Sequence, residues 1–350
     1  MKQAINILMI GGKRCGKTTV LASMYADMQK AVAGADLELQ LANEQTRMEL
    51  LRATEKIQEK MNFFQKPLTR VEVDENPTDA KKEYSFLLTV NKTAQIPFYI
   101  HDIPGEWLVN ENQEMVKRLI SISDVIIIAI DTPYLFSKMT SKGYGIYHEE
   151  YNKPMEIANF FKNSLSVENI KDRMILFVPI KCERYYHLTH STRLNLYKRD
   201  YMQEIVDAIG YGYGDLLSHL RSTPELMNSC TIAITPILSA GGIDFIRFRK
   251  DEETGKVVSL YQEPEFLPDG QHGYRPQFCE QPLIYSLIYI LSRFRQERNA
   301  QPQAGLFRNK QQALSMPLDT ALDTLRMKIK RGTERYATDG YYFIQNPKDI

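Results

Sequence analysis

The stretch Gly11-Gly12-Lys13-Arg14-Cys15-Gly16-Lys17-Thr18 constrains this chain more than any other. It follows an apolar run, Ile5-Asn6-Ile7-Leu8-Met9-Ile10, that reads as a buried parallel strand. It precedes Thr19-Val20-Leu21-Ala22-Ser23-Met24-Tyr25, which reads as the opening of a helix. The spacing fits G-x-x-x-x-G-K-[ST], a loop that wraps phosphate, and the strand before and helix after are the context a chance match lacks. Gly11 and Gly16 let the backbone curl so that successive N–H groups face an anion. The helix start adds its positive dipole end. Lys17 is expected to bridge the outer phosphate oxygens, and the Thr18 hydroxyl to ligand Mg²⁺. Lys13, Arg14, Cys15 and Thr19 complete the predicted nucleotide-contacting run.

With 350 residues the chain can bury a large core, and its 43% hydrophobic and 25% charged content is that of an ordinary globular protein. The 44 basic and 43 acidic residues nearly cancel, so no global charge draws it to nucleic acid or to an anionic membrane. Cys15, Cys182, Cys230 and Cys279 are scattered without metal spacing, and Cys15 lies inside the phosphate loop. A reducing, cytoplasmic setting is expected. No secretory signal precedes the first strand, and the longest apolar run, Val125 to Ile130, is far too short to span a bilayer.

Further along, the pattern predicts a helix from Gly16 to Ala33 and another from Asn43 to Asn62, the latter with a packing stripe at Met48, Leu51, Ile57 and Met61. Phe63 to Lys82, rich in Pro, Asn, Asp and Thr, reads as a loop. Either Thr69 or Thr78 could reach a metal from there; Thr78, nearer the strand Tyr84 to Val90, is favoured, although an ordinary solvated threonine is an equal reading. Strands are also predicted at Ile96–His101, Asp124–Ile130, Met174–Ile180 and Thr231–Ile237, and helices at Glu149–Ser164, Leu194–Ile209, Leu216–Leu220 and Leu283–Arg298. Residues 243–282 read as a hairpin or long excursion. Residues 299–350 read as an extension: a linker, a helix at Leu318–Lys330 and a tyrosine-rich end.

The second strong signal is Asp102-Ile103-Pro104-Gly105-Glu106 at the end of an apolar strand. An acid there is placed to hold Mg²⁺, directly or through water. Gly105 can turn its N–H toward the terminal phosphate, so that loss of that phosphate moves the loop. His101, on the opposite face of the strand, reads as structural. The alternation of elements predicts an α/β fold: a doubly wound, mainly parallel sheet of six strands with helices on both faces. In this arrangement Gly11, Asp102, Lys181 and Ser239 all fall beyond the carboxyl ends of strands, where ligands bind.

With these motifs the chain resembles a P-loop GTPase of the class that includes Ras-like and translation-factor GTPases. It is similar in particular to the double-GTPase domains of bacterial conflict systems, through its Asp-x-Pro-Gly-Glu turn and the apolar strand after it. The resemblance spans residues 1–298 and implies Mg²⁺ with GTP or GDP as ligands. It places a base-reading motif, [NT]-K-x-D, at Ile180-Lys181-Cys182-Glu183, with the carboxylate one methylene longer than usual. It places a Ser-Ala turn, whose backbone N–H reaches the guanine 6-oxygen, at Ser239-Ala240-Gly241. Glu106 stands where the family carries the residue that orients the attacking water. There it can act as an acceptor, as a base if its pKa is raised, or as a charge that slows turnover. Lys13 or Arg14 could supply an arginine-finger charge in cis, worth about 10³–10⁵ in rate; solvent-facing charge is the plainer reading.

Three functions follow. The first is a slowly hydrolysing GTP switch that acts with a protein effector or activator, or as a homodimer. The second is an ATP-dependent small-molecule kinase or ATPase, with the basic segment Arg184–Tyr201 as lid. The third is a nucleotide-binding interaction module without turnover.

Overall fold

The computed structural model describes residues 4–62, 71–72, 81–90, 94–109, 112–137, 147–165, 170–190, 201–250, 252, 257–262, 273–300, 308–329 and 342–346. In chain order the first half comprises β1 (Ile5–Ile10), α1 (Lys17–Ala26), α2 (Met28–Val32), β2 (Leu37–Leu41), α3 (Glu44–Asn62), β3 (Val71–Glu72), β4 (Lys82–Val90) and β5 (Ala94–Asp102). A 3₁₀ turn at Gly105–Leu108 leads to α4 (Gln113–Ile122), β6 (Val125–Asp131) and α5 (Thr132–Leu135). A π-helical turn at His148–Asn152 then precedes α6 (Pro154–Ser164) and β7 (Arg173–Ile180). The second half holds α7 (Glu183–His190), α8 (Tyr201–Gly212), α9 (Gly214–Leu220), α10 (Pro224–Ser229), β8 (Cys230–Ile234), β9 (Gly241–Gly242), β10 (Asp244–Lys250), β11 (Val257–Gln262) and β12 (Gly273–Tyr274). It closes with α11 (Gln281–Ala300), α12 (Arg308–Lys328) and β13 (Tyr342–Gln345).

The strands with continuous apolar runs occupy the centre of the main sheet, in the order β13-β8-β7-β6-β1-β5-β4-β2. Neighbours from β8 to β5 run parallel. The two-residue period of these strands feeds two cores. Ile5, Ile7 and Met9 of β1 and Val125 and Ile127 of β6 enter one core, which α1, α11 and α12 complete. Leu8 and Ile10 of β1 and Ile126, Ile128 and Ile130 of β6 enter the other, together with α4, α6, α8 and α9. α11 is apolar nearly all round because it is covered twice, by the sheet and by Leu318, Ala321, Leu322 and Leu325 of α12.

The sequence predicts six strands, and among the described residues the sheet has eight. Both additions lie at its edges, where a strand pairs on one side only. β2 pairs antiparallel with β4, and its Leu-Glu-Leu-Gln-Leu pattern buries alternate residues. β13 pairs antiparallel with β8, so the tyrosine-rich end folds back onto the sheet. The helix expected over Gly16–Ala33 is two helices divided at Asp27. Within the loop expected at Phe63–Lys82, Val71–Glu72 is a strand that pairs with β11, and Lys82 already belongs to β4. The helices expected at Leu194–Ile209 and Leu318–Lys330 run instead over Tyr201–Gly212 and Arg308–Lys328. Within residues 243–282, expected as a hairpin or long excursion, β10 and β11 do pair antiparallel and, with β3, form a second sheet, but Ile243, Phe245 and Tyr261 are buried in a small core of their own.

The π-helical turn buries His148 completely. Its Nδ1 lies 3.0 Å from the Asn152 amide nitrogen and its Nε2 3.4 Å from the Gly212 carbonyl, an arrangement that needs the neutral ring. Burial holds its pKa down to about 4, against an ordinary value of 6.5. The unfolded chain therefore takes up this proton first as pH falls. The stability due to His148 is complete above about pH 6.5 and is lost toward pH 4, by up to about 3 kcal/mol. Denaturant melts at pH 7 and pH 4.5 should register this loss, and His148→Gln should flatten the difference. Equal slopes in the two proteins would refute it.

Candidate nucleotide site

The phosphate loop begins where β1 ends, between β5 and β6. Arg14 adopts φ 61° and Gly16 φ 101°, the left-handed bends that curl the loop. Gly16 caps α1 without any side-chain hydrogen bond, and the helix carries no acid in its first turn. That end of the helix thus keeps its positive field. Lys17 is buried and folds back into the loop, donating to the carbonyls of Gly11 at 3.1 Å and Gly12 at 3.0 Å. Cys15 is buried under the loop, whereas Thr19 is half-buried on α1.

Asp102 arrives from β5, with Met9 as its register partner in β1. The Thr18 hydroxyl donates to its Oδ2 at 3.2 Å. Asp102 is fully buried, and its Oδ1 has no hydrogen-bond partner among the described residues. Burial pushes the carboxyl above its ordinary value; Lys17, the Thr18 hydroxyl and Lys82 pull the other way without cancelling it. An oxygen pair with one orphaned buried acceptor is a donor set that suits a hard divalent cation. Thr18 and Asp102, expected from sequence to share a metal, are therefore brought together. Thr78 and Thr69 lie outside the described residues.

The turn after Asp102 packs directly on the loop. A Cβ on Gly105 would stand 2.3 Å from the Lys13 nitrogen and 2.5 Å from the Gly12 carbonyl carbon, so this contact admits only glycine. Gly12 is pressed from its other side, where a Cβ would stand 1.6 Å from the Tyr151 carbonyl oxygen in the π-helical turn. Beside it, Lys13 forms an ion pair with Glu106. Burial pushes the Glu106 carboxyl up, but the bonded Lys13 ammonium, with Lys17 beyond it, more than offsets this and holds it below the ordinary value. Glu106 is thus an ionised acceptor; the raised pKa that a base would need is absent. His101 is structural, buried beside Asn6 at 3.1 Å and Glu83 at 3.2 Å.

The remaining predicted residues gather at a second centre. Lys181, at φ 59°, forms an ion pair of 2.7 Å with Asp131 at the end of β6. Asp131 also caps α5 through the Tyr134 N–H, and its backbone is gripped by the Asn152 amide. Glu183, buried at the start of α7, accepts from the backbone N–H groups of Ala240 at 2.6 Å and Gly241 at 3.2 Å. Ser239 is buried in the same turn. Sequence reading passes over Asp131, Tyr151 and Asn152; an acid closing an all-apolar strand was the available signal for Asp131, and nothing local marks the other two.

The phosphate loop and the Asp102 turn sit together in one site at the carboxyl ends of β1 and β5. Residues 5–173 match the Double-GTPase 2 family model. The resemblance to P-loop GTPases read from the motifs is borne out. The matched span contains the phosphate loop and the Asp102–Glu106 turn and ends before Lys181, Glu183 and the Ser239–Ala240 turn. No curated protein matches the chain. Among solved structures it is similar to the GTPase-like domain of Ski7 from S. cerevisiae. The form bound to GDP and inorganic phosphate is 13% identical, with a TM-score of 0.33 and coverage of 87% of this chain and 52% of that one. The GTP-bound form is 14% identical, with a TM-score of 0.32 and coverage of 81% and 49%. This chain thus spans about half the length of those two.

Gly12→Ala should cost roughly 1–3 kcal/mol, the usual toll of overpacking against immobile backbone. Because the clash involves the Tyr151 carbonyl, shortening the side chain of Tyr151 should not relieve it. Chemical denaturation of Gly12→Ala with and without Tyr151→Ala checks this; recovery of stability in the double variant would count against the backbone contact.

Proposed function

We propose that the chain is a Mg²⁺-dependent GTP-binding switch that hydrolyses GTP slowly. The observation that carries this reading is the buried meeting of Lys17, Thr18 and Asp102 beneath a glycine-only contact between the loop and the Gly105 turn. Thr18 and Asp102 are the residues that would hold magnesium, which when bound neutralises phosphate charge as a Lewis acid. Lys17 exchanges two loop carbonyls for phosphate oxygens, a charge-assisted gain. The Gly105 turn, stacked on Gly12 and Lys13, shifts whenever the loop is prised open by a terminal phosphate. Glu106, ionised and held by Lys13, can orient a water as acceptor, but it sets a negative charge beside the reacting phosphate. Slow turnover follows, and a protein partner that recruits Lys13 or covers the turn would change it. Val109, Met115 and Met155 expose apolar surface on the elements adjoining that turn.

The kinase alternative is weakened by Arg184, whose guanidinium is committed to the carbonyls of Phe245 at 2.7 Å and Ile246 at 2.8 Å and so does not serve as a mobile lid. The module without turnover is favoured by one observation, the Lys13–Glu106 pair that occupies the water-orienting position. Among the described residues no helix is long and apolar enough to cross a membrane, which suits a partner-regulated switch acting in the cytoplasm.

Titration with GTP and ATP in Mg²⁺, together with phosphate release, separates these readings. Lys17→Ala should weaken nucleotide binding roughly tenfold to a hundredfold, the worth of a charged hydrogen bond. An unchanged affinity would end the proposal. Trp107, adjoining Glu106, should report the turn's movement by fluorescence. Asp102→Asn should lose the Mg²⁺ dependence of binding, because an amide replaces one oxygen of the donor set. Mg²⁺ dependence left intact would contradict that role.

A further inference from the structure

Glu106 puts an acid beside the place where a terminal phosphate would stand, and the structure shows what makes that tolerable. Its two carboxylate oxygens are unlike. Oε1 accepts from the Lys13 ammonium. Oε2 is buried and has no hydrogen-bond partner among the described residues. One oxygen is thus neutralised and held, and the other is an open acceptor beside the phosphate loop. The pair is a consequence of the backbone contact beneath it. Gly105 lies so close on the loop that a Cβ there would stand 2.3 Å from the Lys13 nitrogen. Lys13 and Glu106 therefore leave that contact as neighbours, and their side chains meet.

The Lys13 side chain is 48% exposed and that of Glu106 31%, so the carboxylate is the more desolvated partner. An ion pair within reach of water adds little to stability, so its consequence lies in where it puts charge. A lone carboxylate here stands as a like charge against a polyphosphate, and such juxtapositions are costly. With an ammonium on Oε1 the pair is close to neutral at short range. Lys17 also reaches the carboxylate with its field, but its ammonium belongs to the loop, on the Gly11 and Gly12 carbonyls, and a bound phosphate takes it from there. Lys13 is thus the cation that answers Glu106, rather than a second charge aimed at the phosphates.

We propose that Lys13 is a positioning residue that acts on the terminal phosphate through Glu106. It cancels the carboxylate's charge at short range, so that a third phosphate can come beside it. It also fixes the carboxylate so that Oε2 is offered as the hydrogen-bond acceptor of the attacking water. This rests on the GTP-binding reading above, and within it Lys13 is the residue that favours GTP over GDP. Without Lys13 the carboxylate repels the terminal phosphate of GTP, whereas GDP ends one phosphate short of it.

The test is calorimetry on the full chain with GTP and GDP, each with Mg²⁺, joined to phosphate release in a single turnover. Lys13→Met should bind GTP about tenfold more weakly and GDP nearly as before, as a like charge that meets only the longer ligand requires. Its release step should slow as well, because the water loses a fixed acceptor. Lys13→Arg, which restores a cation on Glu106, should recover both. Glu106→Gln removes the charge that Lys13 answers, so adding Lys13→Met to it should change the GTP-to-GDP ratio no further. An equal loss in the Glu106→Gln background would mean that Lys13 meets the nucleotide itself, and the inference falls. It falls too if Lys13→Met weakens GTP and GDP alike or leaves both unchanged. Faster release in Lys13→Met would overturn it as well, making the pair a plug over the water position. Because Lys13 is half exposed, its variants should melt close to the wild-type chain, so these ratios are not read through unfolding. Binding of neither nucleotide by the wild-type chain would instead remove the reading beneath.

Discussion

The site depends on a carboxylate that the fold buries and leaves half satisfied. Asp102 ends a central strand of the sheet and is fully buried, and Thr18 accounts for one of its oxygens only. A buried carboxyl with an unpaired oxygen is expensive unless something meets it. Lys17 and Lys82 supply positive field from the loop and the neighbouring strand. The cost is supported by the two cores on either face of the sheet, whose completely buried isoleucines, leucines and valines each contribute about 1.5–3 kcal/mol. β1, which leads into the phosphate loop, and its neighbour β6 each carry several such residues.

The second constraint is steric rather than electrostatic. Three backbone segments, around Gly12, Gly105 and Tyr151, meet without an intervening side chain. Backbone packed on backbone does not deform gradually, so a displacement of the loop must be passed to the other two segments. The Gly105 turn carries Glu106 and Trp107, and the Tyr151 segment carries the ring stacked on Tyr134, which in turn stacks on Phe248 of the β10–β11 hairpin. That hairpin pairs with Val71–Glu72, in the connection between α3 and β4.

How much of this the sequence disclosed varies with the kind of signal involved. The central strands were legible because strands buried on both faces read as unbroken apolar runs, as in Val125 to Ile130. The phosphate loop and the Asp102 turn were legible because their chemistry demands particular residues at fixed spacing. Edge strands β2 and β13 were not, since Leu37–Leu41 alternates and Tyr342–Gln345 is short and aromatic, and either could as well lie in a connection. The break at Asp27 carries no glycine or proline. The pairing of Val71–Glu72 with β11 joins segments far apart in the chain, and no local pattern encodes such a partnership. Glu183 was read as the carboxylate of a base motif; the partners it takes in the structure, the N–H groups of Ala240 and Gly241, lie far along the chain, and no local pattern encodes that contact.

The two centres of the site share backbone groups, and this bears on how they act together. Lys181 binds Asp131, the Asn152 amide grips the Asp131 backbone on both sides, and Asn152 closes the π-helical turn whose Tyr151 carbonyl presses on Gly12. Adjacency of this kind does not by itself carry free energy between sites. It does so only if some member has two arrangements that both sites bias. The Lys181–Asp131 pair is buried, and the His148–Asn152 bond needs a neutral imidazole, so both are poor candidates for alternation under ordinary conditions. The loop has an alternative, because Lys17 can leave the Gly11 and Gly12 carbonyls for a phosphate. A phosphate that took Lys17 would therefore exchange the chain's own hydrogen bonds at that end while the Tyr151–Asn152–Asp131 span beside it stays fixed.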